Sequence, residues 1–261
     1  MHNAHAFVYD ERMESTSGCQ AVERAIAILE LFDEHRTVIG ISDVARSLGV
    51  HRSTASRLMA TLESRGLLEQ VEGTSSYRLG LGLVPLAGYV LNRFPVRARG
   101  GQVLRELRDA TGETAWLGVL DGNGITYLDQ ASSPKVTVNV DWVGVRQTLT
   151  EGVTGRLLLS YQPPDMIGRL VAEADPGAIG LSETELATAR RQGYATRIGD
   201  GEDGYSGVAV PIRDSLGVVV AAIALGGPRF RVSDQRLHDE LLPAALHAAA
   251  RVSEALGHRA A

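Results

Sequence analysis

Arg46, Arg52, Arg57 and Arg65 share the stretch 46–65 with a single acid, Glu63, in a chain whose formal net charge is −5. Ser53, Thr54 and Ser56 stand among them, with His51 just ahead. Guanidinium and hydroxyl groups at this density donate well to phosphate oxygens and to base edges in a DNA groove. The acidic total excludes a generally basic nucleic-acid coat protein, but a DNA-binding module needs only a local positive face. Other chemistry finds little support. Gly80-Leu81-Gly82-Leu83-Val84-Pro85 lacks the third glycine of a dinucleotide loop, and Gly204-Tyr205-Ser206-Gly207 misses the spacing of a nucleophile elbow. The histidines fall in the N-terminal tail, near Phe32, at His51 and in the last helical stretch, without metal-ligand spacing. No catalytic residue, metal or cofactor is expected, and the chain is read as a non-enzyme.

The basic residues need a scaffold, and the flanking pattern supplies one. From Gln20 to Phe32, Val22, Ala25, Ile26, Leu29 and Phe32 recur at helical spacing, and Ala21, Ile28 and Leu31 form a second stripe suited to another contact, such as a second subunit. Ile41 to Val50 follows as a short helix with Ser42 at its start and Gly49 at its end. His51 to Arg65 then keeps Ala55, Leu58, Met59 and Leu62 on one face and Arg52, Ser53, Ser56 and Arg57 on the other. A short helix, a glycine turn and a second helix rich in Arg, Ser and Thr form a helix-turn-helix, whose second helix enters the major groove N-terminus first. Leu67 to Val71 and Ser76 to Leu79 flank Glu72-Gly73-Thr74-Ser75 as a hairpin, the wing. The expected DNA contacts are Ser42, Arg46, His51, Arg52, Ser53, Thr54, Ser56 and Arg57, with Tyr77 and Arg78 of the wing near phosphates. A small helical cap with a solvated charged face also fits the second helix alone. The turn glycine and the wing in this order favour the helix-turn-helix.

At 261 residues the chain suits two domains with separate cores. No apolar run approaches the roughly 20 residues that cross a bilayer, and Met1 to Gly18 has no apolar signal core. Residues 1–18 are therefore expected to be a disordered tail, with Met13 a second candidate start, and the protein is expected in the cytoplasm. The lone Cys19 excludes an internal disulfide and fits a reducing compartment.

Several segments together resemble the IclR family of bacterial transcription regulators: Ala21-Val22-Glu23-Arg24-Ala25-Ile26-Ala27-Ile28-Leu29, Val44-Ala45-Arg46-Ser47-Leu48-Gly49-Val50, Arg52-Ser53-Thr54-Ala55-Ser56-Arg57-Leu58, Leu62-Glu63-Ser64-Arg65-Gly66-Leu67 and Tyr77-Arg78-Leu79-Gly80. The likeness continues through Thr111-Gly112-Glu113-Thr114, Val119-Leu120-Asp121-Gly122, Arg191-Gln192-Gly193-Tyr194-Ala195, Val208-Ala209-Val210-Pro211-Ile212 and Gly226-Gly227-Pro228. Each motif is weak alone; in this order they cover nearly everything after the tail.

Leu81 to Phe94 carries Leu83, Ala87, Val90 and Phe94 on one stripe, with Val84 and Leu91 beside it, too much apolar surface for a lone connecting helix; Pro95 is expected to stop it. In the family this segment resembles the helix that joins the domains and helps to pair subunits; packing only within its own chain is the alternative. Beyond it, a helix around Val103, Leu104 and Leu107 precedes a hairpin of Trp116 to Leu120 and Ile125 to Leu128 around Asp121-Gly122-Asn123-Gly124. Val136 to Val143 alternates like a half-buried strand. Arg156 to Tyr161, Asp165 to Ala174 and Ser182 to Gln192 read as helices, the last opened by a capping box, Ser182 to Glu185. Val208 to Ile212 and Val218 to Leu225 read as buried strands, and Ser233 to Leu256 as a closing helix. The expected fold class is α+β: tail 1–18, winged helix-turn-helix 19–80, linker helix 81–95 and a C-terminal domain 96–258, which the resemblance makes a GAF-like effector-binding domain.

The resemblance implies an effector pocket involving Val153, Thr154, Arg197, Gly207, Ala224 and Gly226, with Trp116 as a wall. It also shows where this chain departs from the frequent pattern. Arg197 replaces a common acid, Gly207 a common Cys, Ala224 and Gly226 common Ser residues, and Thr150 and Arg156 a usual His and Lys. Losing two hydroxyls and a thiol makes room and removes donors, so the expected effector is bulkier and less polar than a two- or three-carbon acid, with one acidic group for Arg197. A degenerate pocket, or an Arg197 facing solvent, is the other reading. The expected function is a DNA-binding transcription regulator of a catabolic operon, a homodimer or dimer of dimers whose operator binding a small molecule controls. The alternative is a constitutive DNA-binding protein whose second domain serves only oligomerisation.

Overall fold

The computed structural model describes residues 19–33, 36–135, 140–150, 152–174, 182–199 and 204–259. The expected tail (1–18) and the first half of the expected strand at 136–143 lie outside the described residues. The chain divides into two units, 1–90 and 91–261.

In the first unit α1 (Gln20–Glu30), β1 (Ile39–Gly40), α2 (Ile41–Ser47), α3 (Arg52–Ser64), β2 (Leu68–Gln70) and β3 (Ser76–Leu79) follow in order. The strands form an antiparallel sheet in the order β1-β3-β2. Ile28, Ile39, Val44, Ala55, Met59, Leu62, Leu68 and Tyr77 make its core. Two expectations change here. Ile28, expected to serve a second contact, is buried in this core, and the large apolar side chains that α1 leaves outside are Val22 and Ile26, 55% and 51% exposed. Tyr77 is not on the outer surface of the wing: strand alternation turns its ring into the core, and burial pushes its phenol pKa up.

Glycine is required where α3 meets the wing. Gly66 has φ +70°, and a Cβ on Gly80 would lie 2.2 Å from the Gly66 carbonyl oxygen. The backbone closes there instead, with the Gly82 N–H donating to Gly66 O at 2.9 Å. These glycines, unfit for a dinucleotide loop, thus anchor the wing to α3.

The linker segment contains α4 (Leu83–Leu91), which has no buried residue. Pro95 does not stop this helix, which has already ended at Leu91. It is the first residue of α5 (Pro95–Thr111), where an N–H lacks an intrahelical partner anyway and a fixed φ suits the helix.

The second unit continues with β4 (Thr114–Asp121), β5 (Gly124–Ala131), β6 (Arg146–Thr148), α6 (Val153–Ser160), α7 (Pro164–Ala174), α8 (Glu183–Gln192), β7 (Ala195–Arg197), β8 (Tyr205–Arg213) and β9 (Val219–Pro228). It ends with a short α9 (Asp234–Arg236), a π-helical turn (Leu237–Leu241) and α10 (Leu242–Ala255). The six strands pair antiparallel in the order β6-β5-β4-β9-β8-β7. Leu117, Val119, Val210, Ile212, Ile223 and Leu225 meet α5 and α10 on one face. Ile125, Tyr127, Ala222 and Ala224 meet residues of α6 and α8 on the other. The α+β fold class is borne out. The capping box forms, with the Ser182 hydroxyl accepting from Glu185 N–H at 3.1 Å and Glu185 reaching back. The short edge strands β6 and β7, three residues each, carry too little periodicity to be read from the sequence.

Candidate DNA interface and ligand cavity

His51 caps α3, its Nδ1 accepting from the Ser53 N–H at 3.4 Å and lying 2.9 Å from Ser53 Oγ. With Ala55, Met59 and Leu62 drawn into the core, Arg52, Ser53 and Arg57 turn outward and exposed, and Thr54 and Ser56 are half-buried beside them. Neither Arg52 nor Arg57 has an ion-pair partner among the described residues, and the first turn of α3 has no acid. Its positive helix end and both guanidinium groups therefore project from one exposed surface. Ser42 and Arg46 are also exposed, and Arg46 pairs with Asp43 at 3.3 Å. On the wing Arg78 pairs with Glu69 of the neighbouring strand at 2.7 Å, which holds that carboxyl below its ordinary range. Arg78 thus has part of its charge already answered. Tyr77 is withdrawn from this surface.

In the second unit strand register aligns residues far apart in sequence. Thr114 faces Gly226, Gly226 faces Gly207 and Gly207 faces Arg197, a row across β4, β9, β8 and β7. Two residues along, Trp116 faces Ala224. Side chains two apart on a strand share a face, so Trp116 and Arg197 flank a floor reduced to backbone and one methyl group. A Cβ on Gly226 would lie 2.5 Å from Ser206 O, so that strand pair tolerates no side chain without a shift. The start of α6 faces this floor across a cavity of about 470 Å³. Val153, Thr154, Arg197, Gly207, Ala224, Gly226 and Trp116 all line it. Arg156 does not; it pairs with Glu185 of α8 at 3.5 Å.

Other lining residues escaped the sequence reading, chiefly Tyr127, Gln130, Trp142 and Tyr205. Gln130 Oε1 accepts from the Trp116 indole N–H at 2.7 Å and from the Trp142 backbone N–H at 3.0 Å, while its Nε2 donates to Val140 O at 2.9 Å. One amide thereby ties both tryptophans to the cavity wall. The Trp116 ring lies edge-on to Tyr205, centroids 6.0 Å apart, and tilted to Tyr127 at 6.4 Å. Tyr205 donates its hydroxyl to Gly226 O at 3.0 Å, and burial pushes its pKa far up. That Trp116 and Trp142 are the chain's only tryptophans was a visible signal, but their joint position needed the β5 register. Arg197 is exposed at the cavity edge and is the only charged residue among the described lining.

Sequence and structure comparisons agree with this arrangement. The model of the IclR helix-turn-helix domain matches residues 21–72, and that of the bacterial transcriptional regulator IclR C-terminal domain matches residues 88–254. The chain is 31% identical over 252 residues to the HTH-type transcriptional regulator XynR of Escherichia coli, covering 92% of this chain and 98% of that one. It is 30% identical over 248 residues to the glycerol operon regulatory protein of Streptomyces coelicolor, covering 91% and 96%. The crystal structure of an IclR homolog from Microbacterium hydrocarbonoxydans complexed with 4-hydroxybenzoate superimposes with a TM-score of 0.75 at 26% identity, covering 90% of this chain and 98% of that one. With both domain models matched in order and relatives aligned over nearly its whole length, the chain belongs to the IclR family of DNA-binding transcription regulators.

Proposed function

We propose that this regulator binds operator DNA through α3 and releases or engages it according to a small organic effector held in the cavity of the second unit. The observation that carries this reading is the cavity itself. Seven residues from α6, β4, β7, β8 and β9 converge on about 470 Å³, within the range of small-molecule sites. That room exceeds what a two- or three-carbon acid fills, and the 4-hydroxybenzoate complex of the relative from Microbacterium supports a ring-sized effector. Arg197 supplies the positive charge for an acidic group. No helix among the described residues is long and apolar enough to cross a membrane; the DNA-binding role is what supports a place in the cytoplasm. Its role is regulatory, with no catalytic step assigned.

We assign the working form as a homodimer or dimer of dimers. Val22 and Ile26 of α1 and Val84, Leu86, Tyr89 and Val90 of α4 are exposed apolar side chains, and pairing with a second copy would cover them. Recognition helices in such a dimer stand about 34 Å apart, so the operator should be a palindrome with half-sites about one turn apart. Selection of bound duplexes from a random pool tests the reading: enrichment of such a palindrome supports it, and enrichment of single half-sites or no enrichment refutes it. Melting of the full chain with a panel of small organic acids separates a sensing second unit from one that only oligomerises, because a ligand that binds the folded form must raise Tm.

A further inference from the structure

The cavity has a donor that no other group among the described residues uses. Tyr127 Oη and Thr154 Oγ1 lie 3.1 Å apart, buried to 7% and 1% exposure, and both line the cavity. The two hydroxyls own two hydrogens, and the bond between them uses one. Neither hydroxyl has another partner among the described residues, so one hydrogen remains to be donated. A buried donor left unmade costs free energy, and a ligand acceptor removes that cost. Burial raises the Tyr127 pKa, so its proton stays on at physiological pH. Gly118 leaves the room in which the pair meets, because a Cβ there would lie 2.9 Å from Thr154 Cγ2 and 3.2 Å from Tyr127 Cε1.

Trp116, Trp142, Tyr127 and Tyr205 present four aromatic rings, which favour a flat ring in offset or edge contact over a hydroxylated aliphatic chain. Tyr127 on β5 and Arg197 on β7 have β4, β9 and β8 between them, and Tyr127 pairs with Gly118, four residues along β4 from the Thr114 row that ends at Arg197. A ligand that meets both the hydroxyl pair and Arg197 is therefore better served by a ring between its polar ends than by a two- or three-carbon chain.

Resting on the effector reading above, we propose that the cavity takes an aromatic carboxylic acid bearing an oxygen substituent opposite its carboxylate, the carboxylate toward Arg197, the ring against Trp116, and the substituent oxygen accepting from the Tyr127–Thr154 hydroxyl pair. Tyr127 and Thr154 are then specificity-determining residues that choose among aromatic acids. Losing one hydroxyl leaves the other free to donate, so only the double change Tyr127→Phe with Thr154→Val removes the donor.

The test uses the full chain and the fluorescence of its two tryptophans, both in the cavity wall, titrated with 4-hydroxybenzoate and 4-methylbenzoate, with 4-hydroxycinnamate and 4-methylcinnamate as longer probes, and with cyclohexanecarboxylate and pyruvate. Expected is saturable quenching by the aromatic acids, the hydroxylated member of a pair binding about 5- to 10-fold tighter than its methyl isostere. In the double variant that preference should fall to about 2-fold or less, while each single variant keeps most of it. Equal binding of the hydroxyl and methyl members in the unaltered chain overturns the proposal without needing any variant to fold. So does a double variant that weakens both members equally, which would mean that the pair holds the carboxylate. Quenching by pyruvate or cyclohexanecarboxylate and not by aromatic acids overturns the ligand class while leaving the cavity as the effector site. No quenching by any probe, with operator binding equally unmoved, overturns the ligand class and counts against the effector reading as well.

Discussion

The Glu113 carboxylate, fully buried, receives the Arg231 guanidinium at 2.8 Å between its Oε2 and Nη2. Its other oxygen takes Arg236 Nη1 at 2.8 Å. Arg236 also donates to Thr111 O at 2.7 Å and to Arg231 O at 3.0 Å, so the end of α5, the start of β4 and the segment after β9 converge on one buried charge. Glu113→Ala should cost about 3 kcal/mol, because it leaves two partly buried cations facing an apolar gap. The measurement is thermal melting, with an expected fall of roughly 6–12 °C for a unit of this size. A Tm within 2 °C of the unaltered chain would show that the cluster is held by solvent rather than by packing.

Arg52→Ala and Arg57→Ala should each weaken binding to a selected operator. Where the lost guanidinium made two bonds to a guanine, the cost is about 1–3 kcal/mol and specificity relaxes at one position. Where it met a phosphate, affinity falls evenly across sequences and the salt dependence flattens by about one unit of slope. Operator titration at two salt concentrations distinguishes these outcomes, and unchanged affinity in both variants would remove α3 from the groove. Arg78→Ala should matter less, since Glu69 already answers that charge.

Gly118→Ala should separate the two hydroxyls of the cavity. The added methyl group would sit 2.9 Å from Thr154 Cγ2, and overpacking of this kind costs about 1–3 kcal/mol. Melting should show the loss. DNA affinity without effector should be unchanged, because the substitution is in the second unit.

Glu240 and Glu106 have pKa values below the ordinary carboxylate, chiefly through side-chain hydrogen bonds from Arg236 and Arg251 respectively. A carboxylate lowered in the folded state adds stability above its unfolded pKa and loses it as pH falls through the folded value. Tm should therefore decline between roughly pH 5 and pH 3. Arg251→Gln should make that decline shallower, which a melting series across the window reads directly. An unchanged slope would mean that the Arg251–Glu106 contact, 2.6 Å in the structure, is lost to solvent.

Tyr89→Glu should dissociate the proposed homodimer. Tyr89 is 72% exposed on α4, and a charge in an apolar interface opposes pairing. Sedimentation at micromolar concentration should shift from dimer toward monomer, and the palindromic operator should lose affinity with it. An unaltered dimer would move the interface elsewhere.

What the sequence determined by itself was local. Turn glycines and helical spacing act within a few residues, so α2, α3, the wing, the β4–β5 hairpin and the Ser182 capping box were legible, and the order of motifs carried the family; Ser42, expected to cap α2, lies inside the helix instead, behind an N-cap at Gly40. Which face of a helix meets which partner is not local. Ile28 and Val22 both belong to apolar stripes of α1, and only packing against the rest of the unit buried one and exposed the other. Tyr77 was expected near the phosphates together with Arg78, yet alternation sends neighbouring side chains of the wing strand to opposite faces, and Tyr77 is buried. Pro95 signals a helix boundary in either direction, and the structure makes it a beginning. The cavity shows the same division. The resemblance suggested seven of its residues, but Tyr127, Gln130, Trp142 and Tyr205 join them through strand register and one shared amide, hydrogen bonds that no spacing along the chain encodes.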